Sequence, residues 1–244
     1  RKGPSKRAAA VLLKPDPFRI GLSTVFDLKN HLKSLVEAHG PSGHEAPIRD
    51  ILAEAWQPFV DATETDRLGS LIGIKRGTDH GPSPRKIMLA AHIDEIGMMV
   101  THINDGFLMV RRISGVDNRL MAAQTVLVHG RESLPGLVAS VPPHLLTDDK
   151  RGLYPTWEEV VVDVGLPAET VAELVRVGDR VTVDTTMLEL MNNRIAAKAM
   201  DDRACVAIMT ACLNELRAYQ HRWDVYAAAT VQEETGLYGA ETAA

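Results

Sequence analysis

Aromatic residues are scarce, 5% of the 244, and cysteine is scarcer still, with two in the whole chain. Cys205 and Cys212 stand seven residues apart in a segment that reads as one helix, which separates them by about 10 Å along its axis. A disulfide holds its Cα atoms roughly 4.4–6.8 Å apart. The pair therefore reads as reduced core residues, the usage of a cytoplasmic protein. A positive excess is also missing. The net charge of −5 argues against a nucleic-acid-binding protein, which usually carries a clustered positive excess. No apolar run reaches the ~20 residues that cross a bilayer, and no acidic block is long enough for a disordered tail. Nucleic acid and membrane drop out as expected partners.

What is there is ordinary for a globular chain: 45% apolar and 24% charged residues, enough for one large domain or two modest ones. A core of this size needs no disulfide or metal staple. The start is basic, Arg1-Lys2-Gly3-Pro4-Ser5-Lys6-Arg7. The apolar run that follows, residues 8–13, is too short for the core of a signal peptide. Residues 1–17 read as a flexible leader.

Val25, Leu28, Leu32, Leu35 and Val36 recur at helical spacing, with Gly40 placed as a C-terminal cap. The turn Gly40-Pro41-Ser42-Gly43-His44-Glu45 opens a second helix, and Ser42 and Glu45 have the spacing of a capping box. Its apolar face is Ile48, Ile51, Leu52, Ala55 and Trp56. Residues 61–76 read as a hairpin or two short strands broken at Gly69. Residues 86–91 form an unbroken apolar run, which predicts a central strand buried on both faces of an α/β sheet.

From about residue 98 to 195 the pattern changes to short alternating segments. Turn signals punctuate them at Asn104-Asp105-Gly106, Gly136, Pro142-Pro143, Gly178-Asp179 and Asn192-Asn193. One helix is expected near residues 168–175. The α/β pattern then resumes with a helix over about 202–219, its apolar face being Val206, Met209, Cys212, Leu213 and Leu216. A buried strand at 225–231 ends at Gln232-Glu233-Glu234. The expected fold is therefore α/β, a mixed-sheet domain made of residues 18–98 and 196–244, with a small β-rich domain, 99–195, inserted into it.

Ligands of open α/β sheets sit beyond the carboxyl ends of the strands. Two apolar strands here end in metal-compatible groups, His92-Ile93-Asp94 and Glu233-Glu234, and Asp201-Asp202 stands where the insert returns. Imidazole with carboxylates is the ligand set of zinc, cobalt or manganese in a hydrolase. Each piece also has a plainer use: His92 as a hydrogen-bonded structural residue, Asp201-Asp202 as a helix cap, Glu233-Glu234 as a solvated strand end. Strand alternation puts His92 and Asp94 on one face, where a carboxylate can orient a ligating imidazole. Adjacent residues of an extended chain point to opposite sides. Glu233 and Glu234 are thus a poor facing acid–base pair for a glycosidase and suit two separate jobs, one at a metal and one at a water.

Three segments carry a resemblance: Ala90-Ala91-His92-Ile93-Asp94-Glu95-Ile96-Gly97, Lys198-Ala199-Met200-Asp201-Asp202-Arg203, and Val231-Gln232-Glu233-Glu234-Thr235-Gly236-Leu237-Tyr238-Gly239-Ala240. They resemble successive motifs of the glutamyl/deblocking aminopeptidase family, which includes the tetrahedral TET peptidases and proteins labelled endoglucanase or cellulase M. Gly40-Pro41-Ser42-Gly43, Asp66-Arg67-Leu68-Gly69-Ser70-Leu71, Pro135-Gly136-Leu137-Val138 and Pro142-Pro143-His144-Leu145 match as well. The resemblance spans about residues 18–244.

It implies a metal-dependent aminopeptidase acting on short peptides, with two divalent ions, zinc or cobalt. Asp201 would bridge the ions and form a cis peptide bond with Asp202. His92 would bind one ion and Glu234 the other, Glu233 would be the general base, and Asp94 would orient His92. The β-rich insert would be the dimerisation domain of a homo-oligomer, up to a dodecameric shell. Family sequences continue beyond the Gly236-Leu237-Tyr238-Gly239-Ala240 motif with further metal ligands and much of the specificity pocket. The chain accordingly reads as C-terminally shortened, with only part of each metal's protein shell. Two alternatives stand beside this reading: a catalytically incomplete assembly or binding protein of the same fold, and an endoglucanase.

Overall fold

The structure, a computed structural model, describes residues 26–139, 141, 143–145, 147, 148 and 152–244. The expected leader, Val25 of the first helical face and Pro142 of the Pro142-Pro143 turn lie outside the described residues.

Two units share the chain. The first is a four-stranded sheet of β1 (Ala62–Thr65), β2 (Leu71–Lys75), β3 (Lys86–His92) and β12 (Asp224–Thr230), in the order β1-β2-β12-β3. β1 and β2 are the antiparallel pair read from residues 61–76, and β12 runs antiparallel to β2 and parallel to β3. Helices α1 (Leu28–Glu37), α2 (Ala46–Trp56) and α4 (Met200–Leu216) bury Leu35, Ile48, Leu52, Trp56, Val206 and Leu213 against the sheet. A short α5 (Tyr238–Ala243) follows β12.

The second unit is a closed barrel of β4 (Met98–Asn104), β5 (Phe107–Arg112), β6 (Thr125–His129), β7 (Ser133–Ala139), β8 (Val161–Asp163) and β9 (Arg180–Val183). Alternate residues of most of these strands turn inward, and Val100, Leu108, Val110, Val126, Val128 and Val162 belong to a separate core. Closure removes the free edges that an open sheet of short strands would expose. The expected helix is α3 (Ala168–Leu174), which adds Val171 to that core. A small hairpin, β10 (Leu188–Leu190) with β11 (Arg194–Ala196), leads back to the sheet unit. Its turn holds Asn192 and Asn193 at φ 61° and 57°, the left-handed pair that a tight hairpin needs.

Four expectations are corrected. Among the described residues the run at 86–91 is not a central strand: β3 ends the sheet order, its first three residues are exposed, and Ile87 and Met88 are 43% and 39% open. The interior strands are β2 and β12, and α4 packs against β3. Cys205 and Cys212 are free but exposed, not core, because α4 turns Val206, Met209 and Leu213 inward instead. Gly40 does not cap α1, whose C-cap is an extended Ala38. It lies against α2, where a Cβ would come within 2.7 Å of Ile48 Cγ1. Nor do Ser42 and Glu45 form a capping box, since α2 starts without a side-chain cap and both side chains turn to the site below.

Candidate active site

Because β3 and β12 are parallel and paired in register, with His92 opposite Thr230, their carboxyl ends meet at one place. His92 closes β3, and Glu233 and Glu234 follow β12 after Val231 and a left-handed Gln232 at φ 55°. Asp94 lies two residues past the end of β3 and is fully buried. Its Oδ1 accepts the backbone N–H of Glu233 and its Oδ2 that of Glu234, both at 3.1 Å. Ser42 Oγ donates to Oδ2 at 2.6 Å. Burial would raise the Asp94 carboxyl, but the hydrogen bonds from His92, Ser42 and the two N–H groups hold it below the usual carboxylate range.

His92 is 7% exposed. Its Nδ1 faces Asp94, 3.2 Å from the backbone oxygen and 3.4 Å from Oδ1. Its Nε2 looks the other way, 3.2 Å from Asp201 Oδ1 and 3.7 Å from Glu233 Oε2. Burial alone would lower the imidazole pKa; the carboxylates of Asp94, Glu233 and Asp201 outweigh it and push it up to about 9. Glu234 is raised, first by burial and then by the neighbouring Asp94, Glu233 and Asp201 charges, with His92 opposing.

Asp201 reaches the cluster from the start of α4. The Asp201–Asp202 peptide bond is cis, and both residues have non-helical dihedrals. The side chain of Asp201 is 93% exposed. Glu45, raised by burial, accepts the N–H groups of Gly43 at 2.7 Å and Gln232 at 3.1 Å. It ties the loop before α2 to the loop after β12.

All five residues singled out from the sequence thus converge. His92, Glu233 and Glu234 offer ligand atoms within 4.8 Å of one another, and Asp201 touches the same face of His92. An imidazole and acidic oxygens at this spacing fit a divalent transition metal. Asp94 on Nδ1 leaves Nε2 free to ligate, the usual orienting arrangement for a metal-binding histidine. Ser42 and Glu45 were missed as site residues because their spacing mimics a cap. Glu95, Lys198 and Arg203 stand beside the motif acids in the sequence, and that adjacency is the signal that marks them.

An α/β sheet unit with a metal-compatible acidic cluster at its strand ends, interrupted in sequence by a barrel, has its candidate site where open α/β folds bind ligands. Residues 69–244 match the model of the M42 glutamyl aminopeptidase family, and the chain belongs to that family. It is 35% identical to the lysyl aminopeptidase of Pyrococcus furiosus over 218 residues, 87% of this chain and 61% of that protein. Among solved structures, a TET aminopeptidase from a marine sediment Thaumarchaeota archaeon superposes with a TM-score of 0.82 at 34% identity, covering 88% of this chain and 61% of that one. The Pyrococcus horikoshii TET1 peptidase, described as assembling into a tetrahedron or a large octahedral shell, gives 0.76 at 29% identity, with 88% and 64% covered. The chain therefore spans less than two thirds of the length of these relatives. Among the described residues, no helix is long and apolar enough to cross a membrane.

Proposed function

We propose that this chain carries the chemistry of a metal-dependent aminopeptidase that releases N-terminal residues from short peptides. The observation that carries the reading is the convergence of His92 Nε2, Asp201, Glu233 and Glu234 at the paired ends of β3 and β12. In this reading His92 and Asp201 hold one divalent ion, Asp201 and Glu234 a second, with zinc or cobalt the best match to the donors. Bound there, the ions would supply Lewis acidity toward a water and the scissile carbonyl and a site for the substrate's free α-amine.

The chain's own groups do the rest. Asp94 keeps the His92 ring in place and, through the N–H groups of Glu233 and Glu234, holds both glutamates at the end of β12. Glu233 accepts the proton of the attacking water and returns it to the leaving amine. The partly exposed position of its carboxylate, 37% open, leaves it reachable by both.

The barrel, in the same proposal, is the dimer-building domain within residues 99–195, between catalytic segments 18–98 and 196–244. Its exposed Leu120, Leu137, Leu153 and Tyr154 and the assembled state of the TET1 relative support a homo-oligomer. The cytoplasmic setting expected from two unbridged cysteines belongs here too.

The deciding experiment is release of N-terminal residues from short peptides with zinc or cobalt added, against Glu233→Gln. The variant is expected to lose about 10²–10⁴-fold in rate while still binding metal. No release by the unaltered chain at any enzyme concentration would sink the reading and leave an assembly or binding role. Chelator-insensitive cleavage of cellulose would instead favour the endoglucanase alternative.

A further inference from the structure

Behind the site lies a second charged cluster that the chemistry above does not use. Glu95, 3% exposed, sits three residues beyond His92. Its Oε1 accepts the N–H of Gly40 at 2.8 Å and Nζ of Lys198 at 3.1 Å, and its Oε2 accepts the same Nζ at 2.9 Å. Arg203 Nη2 is 3.5 Å from Oε1. Lys198 and Arg203 bracket Asp201 in the chain, so one carboxylate beside the end of β3 grips the chain on both sides of the Asp201–Asp202 pair.

Arg203 completes the tie. Its buried guanidinium donates from Nε to Ile93 O at 2.8 Å, the carbonyl between His92 and Asp94, and from Nη1 to Leu35 O and Ala38 O at 2.7 Å each. Asp201 is itself solvent-exposed, so little packs around the side chain that approaches His92 at 3.2 Å. Taken by themselves, the two cations and the one anion of this triad carry a single positive charge. Removing the anion would leave the two cations without the carboxylate they share, facing only the more distant Asp94 and Glu45 beside Arg203 and Asp184 beside Lys198, a costly arrangement in a dry interior and a repulsive one beneath a divalent ion.

We propose that Glu95 is a positioning residue: by clamping Lys198 and Arg203 it sets the His92–Asp201 separation and with it the metal affinity of the site. The metal part of this inference rests on the reading under Proposed function; the separation itself does not.

The test compares Glu95→Gln, Lys198→Met and the double variant with the unaltered chain. Glutamine keeps the size and an acceptor for the Gly40 N–H but not the charge; the double variant restores a single positive charge. Crystal structures without added metal read the His92–Asp201 contact. Calorimetric titration with Co²⁺, together with the visible absorption of the bound ion, reads affinity and ligand geometry. Expected for Glu95→Gln are a contact opened beyond hydrogen-bond reach, a changed Co²⁺ spectrum and affinity weakened about tenfold or more. The double variant should recover to within about threefold of the unaltered chain.

If Glu95→Gln does not fold, Glu95→Asp, which keeps the charge but shortens the reach, is read the same way. An unchanged contact and unchanged Co²⁺ affinity in the folded variant, with only a lower melting temperature, would overturn the clamp. Co²⁺ binding without peptide hydrolysis in the unaltered chain would overturn the aminopeptidase reading and leave the clamp standing. If that chain takes up no Co²⁺, the metal-free contact distances decide the clamp alone.

Discussion

Asp94 Oδ1 accepts the backbone N–H of Glu233 at 3.1 Å, so a side chain just past β3 fixes the main chain just past β12. The same carboxylate takes the N–H of Glu234 and faces His92 Nδ1. One buried group therefore sets the geometry of three site residues. Asp94→Asn offers one oxygen where two acceptors are needed and turns N–H donors toward its partners. Leaving buried donors unmatched costs about 1–3 kcal/mol, and loss of an orienting carboxylate typically weakens metal binding by about 10–100-fold. Urea unfolding and metal titration of the variant would check both. A neutral result in each would remove Asp94 from its assigned role.

The His92 imidazole, pushed to about 9 by Asp94, Glu233 and Asp201 against the effect of burial, is protonated at neutral pH before any ion arrives. A ligating histidine must be neutral. Metal uptake at pH 7.5 should therefore release about one proton. Affinity should rise about tenfold per pH unit from 7 up to about 9 and then level. Calorimetry in buffers of different ionisation enthalpy measures the proton directly. The sign for metal-free stability follows from the raised pKa: its contribution is complete below about 6.5, the unfolded value, and is lost as pH rises through about 9. A release indistinguishable from zero would show that His92 is not the ligand.

Much of the site was legible because its residues lie in short stretches next to strand ends. His92 and Asp94, or Glu233 and Glu234, are neighbours in sequence, and an apolar run before each pair announces a strand. Turn spacing pointed to a β-rich stretch, though not to its closure into a barrel, since a pairing such as Val126 with Val183 joins segments far apart in the chain. What failed had long-range causes. Residues 86–91 are apolar enough for a central strand, yet among the described residues sheet order makes β3 an edge. Ser42 and Glu45 have cap spacing, but Asp94 and the Gln232 N–H compete for them and win. Cys212 fits the helix period, and only the direction in which α4 packs decides that Leu213 is buried instead.

Trp56 Nε1 donates to Thr210 Oγ1 at 2.8 Å in a fully buried place between α2 and α4. The hydroxyl donates in turn to Val206 O at 3.0 Å, and His31 Nε2 approaches it at 3.1 Å. Thr210→Val keeps the shape and strands the indole N–H. The expected loss is about 1–3 kcal/mol of stability, read by urea unfolding. Thr210 lies far along α4 from Asp201, so metal affinity per folded molecule should not change. A drop in affinity would show that α4 transmits strain to the site.

His39 joins the two units. Its Nδ1 lies 2.7 Å from Thr182 Oγ1 on β9 and 3.2 Å from Lys198 Nζ. An ammonium only donates, so Nδ1 is the acceptor, and Thr182, which also meets His129 Nε2 at 2.9 Å, can receive the proton of that ring. Burial first, then the positive Lys198, hold the His39 pKa down to about 4, with His129 adding to them and Glu95 and Asp184 opposing. The unfolded chain takes up this proton near 6.5, well before the folded one does. Stability from His39 is therefore complete above about 6.5 and is lost as pH falls toward 4, by no more than about 3 kcal/mol. Its partial exposure, 20% of the side chain, reduces that ceiling. His39→Asn keeps an acceptor near the Nδ1 position and cannot be protonated. Urea unfolding from pH 7.5 to 4 should show a shallower acid loss for the variant than for the unaltered chain. Hydrogen exchange at Thr182, on the barrel side, should rise at pH 5 in the unaltered chain alone. Parallel stability curves for the two proteins would mean that the acid sensitivity of this junction lies in other groups.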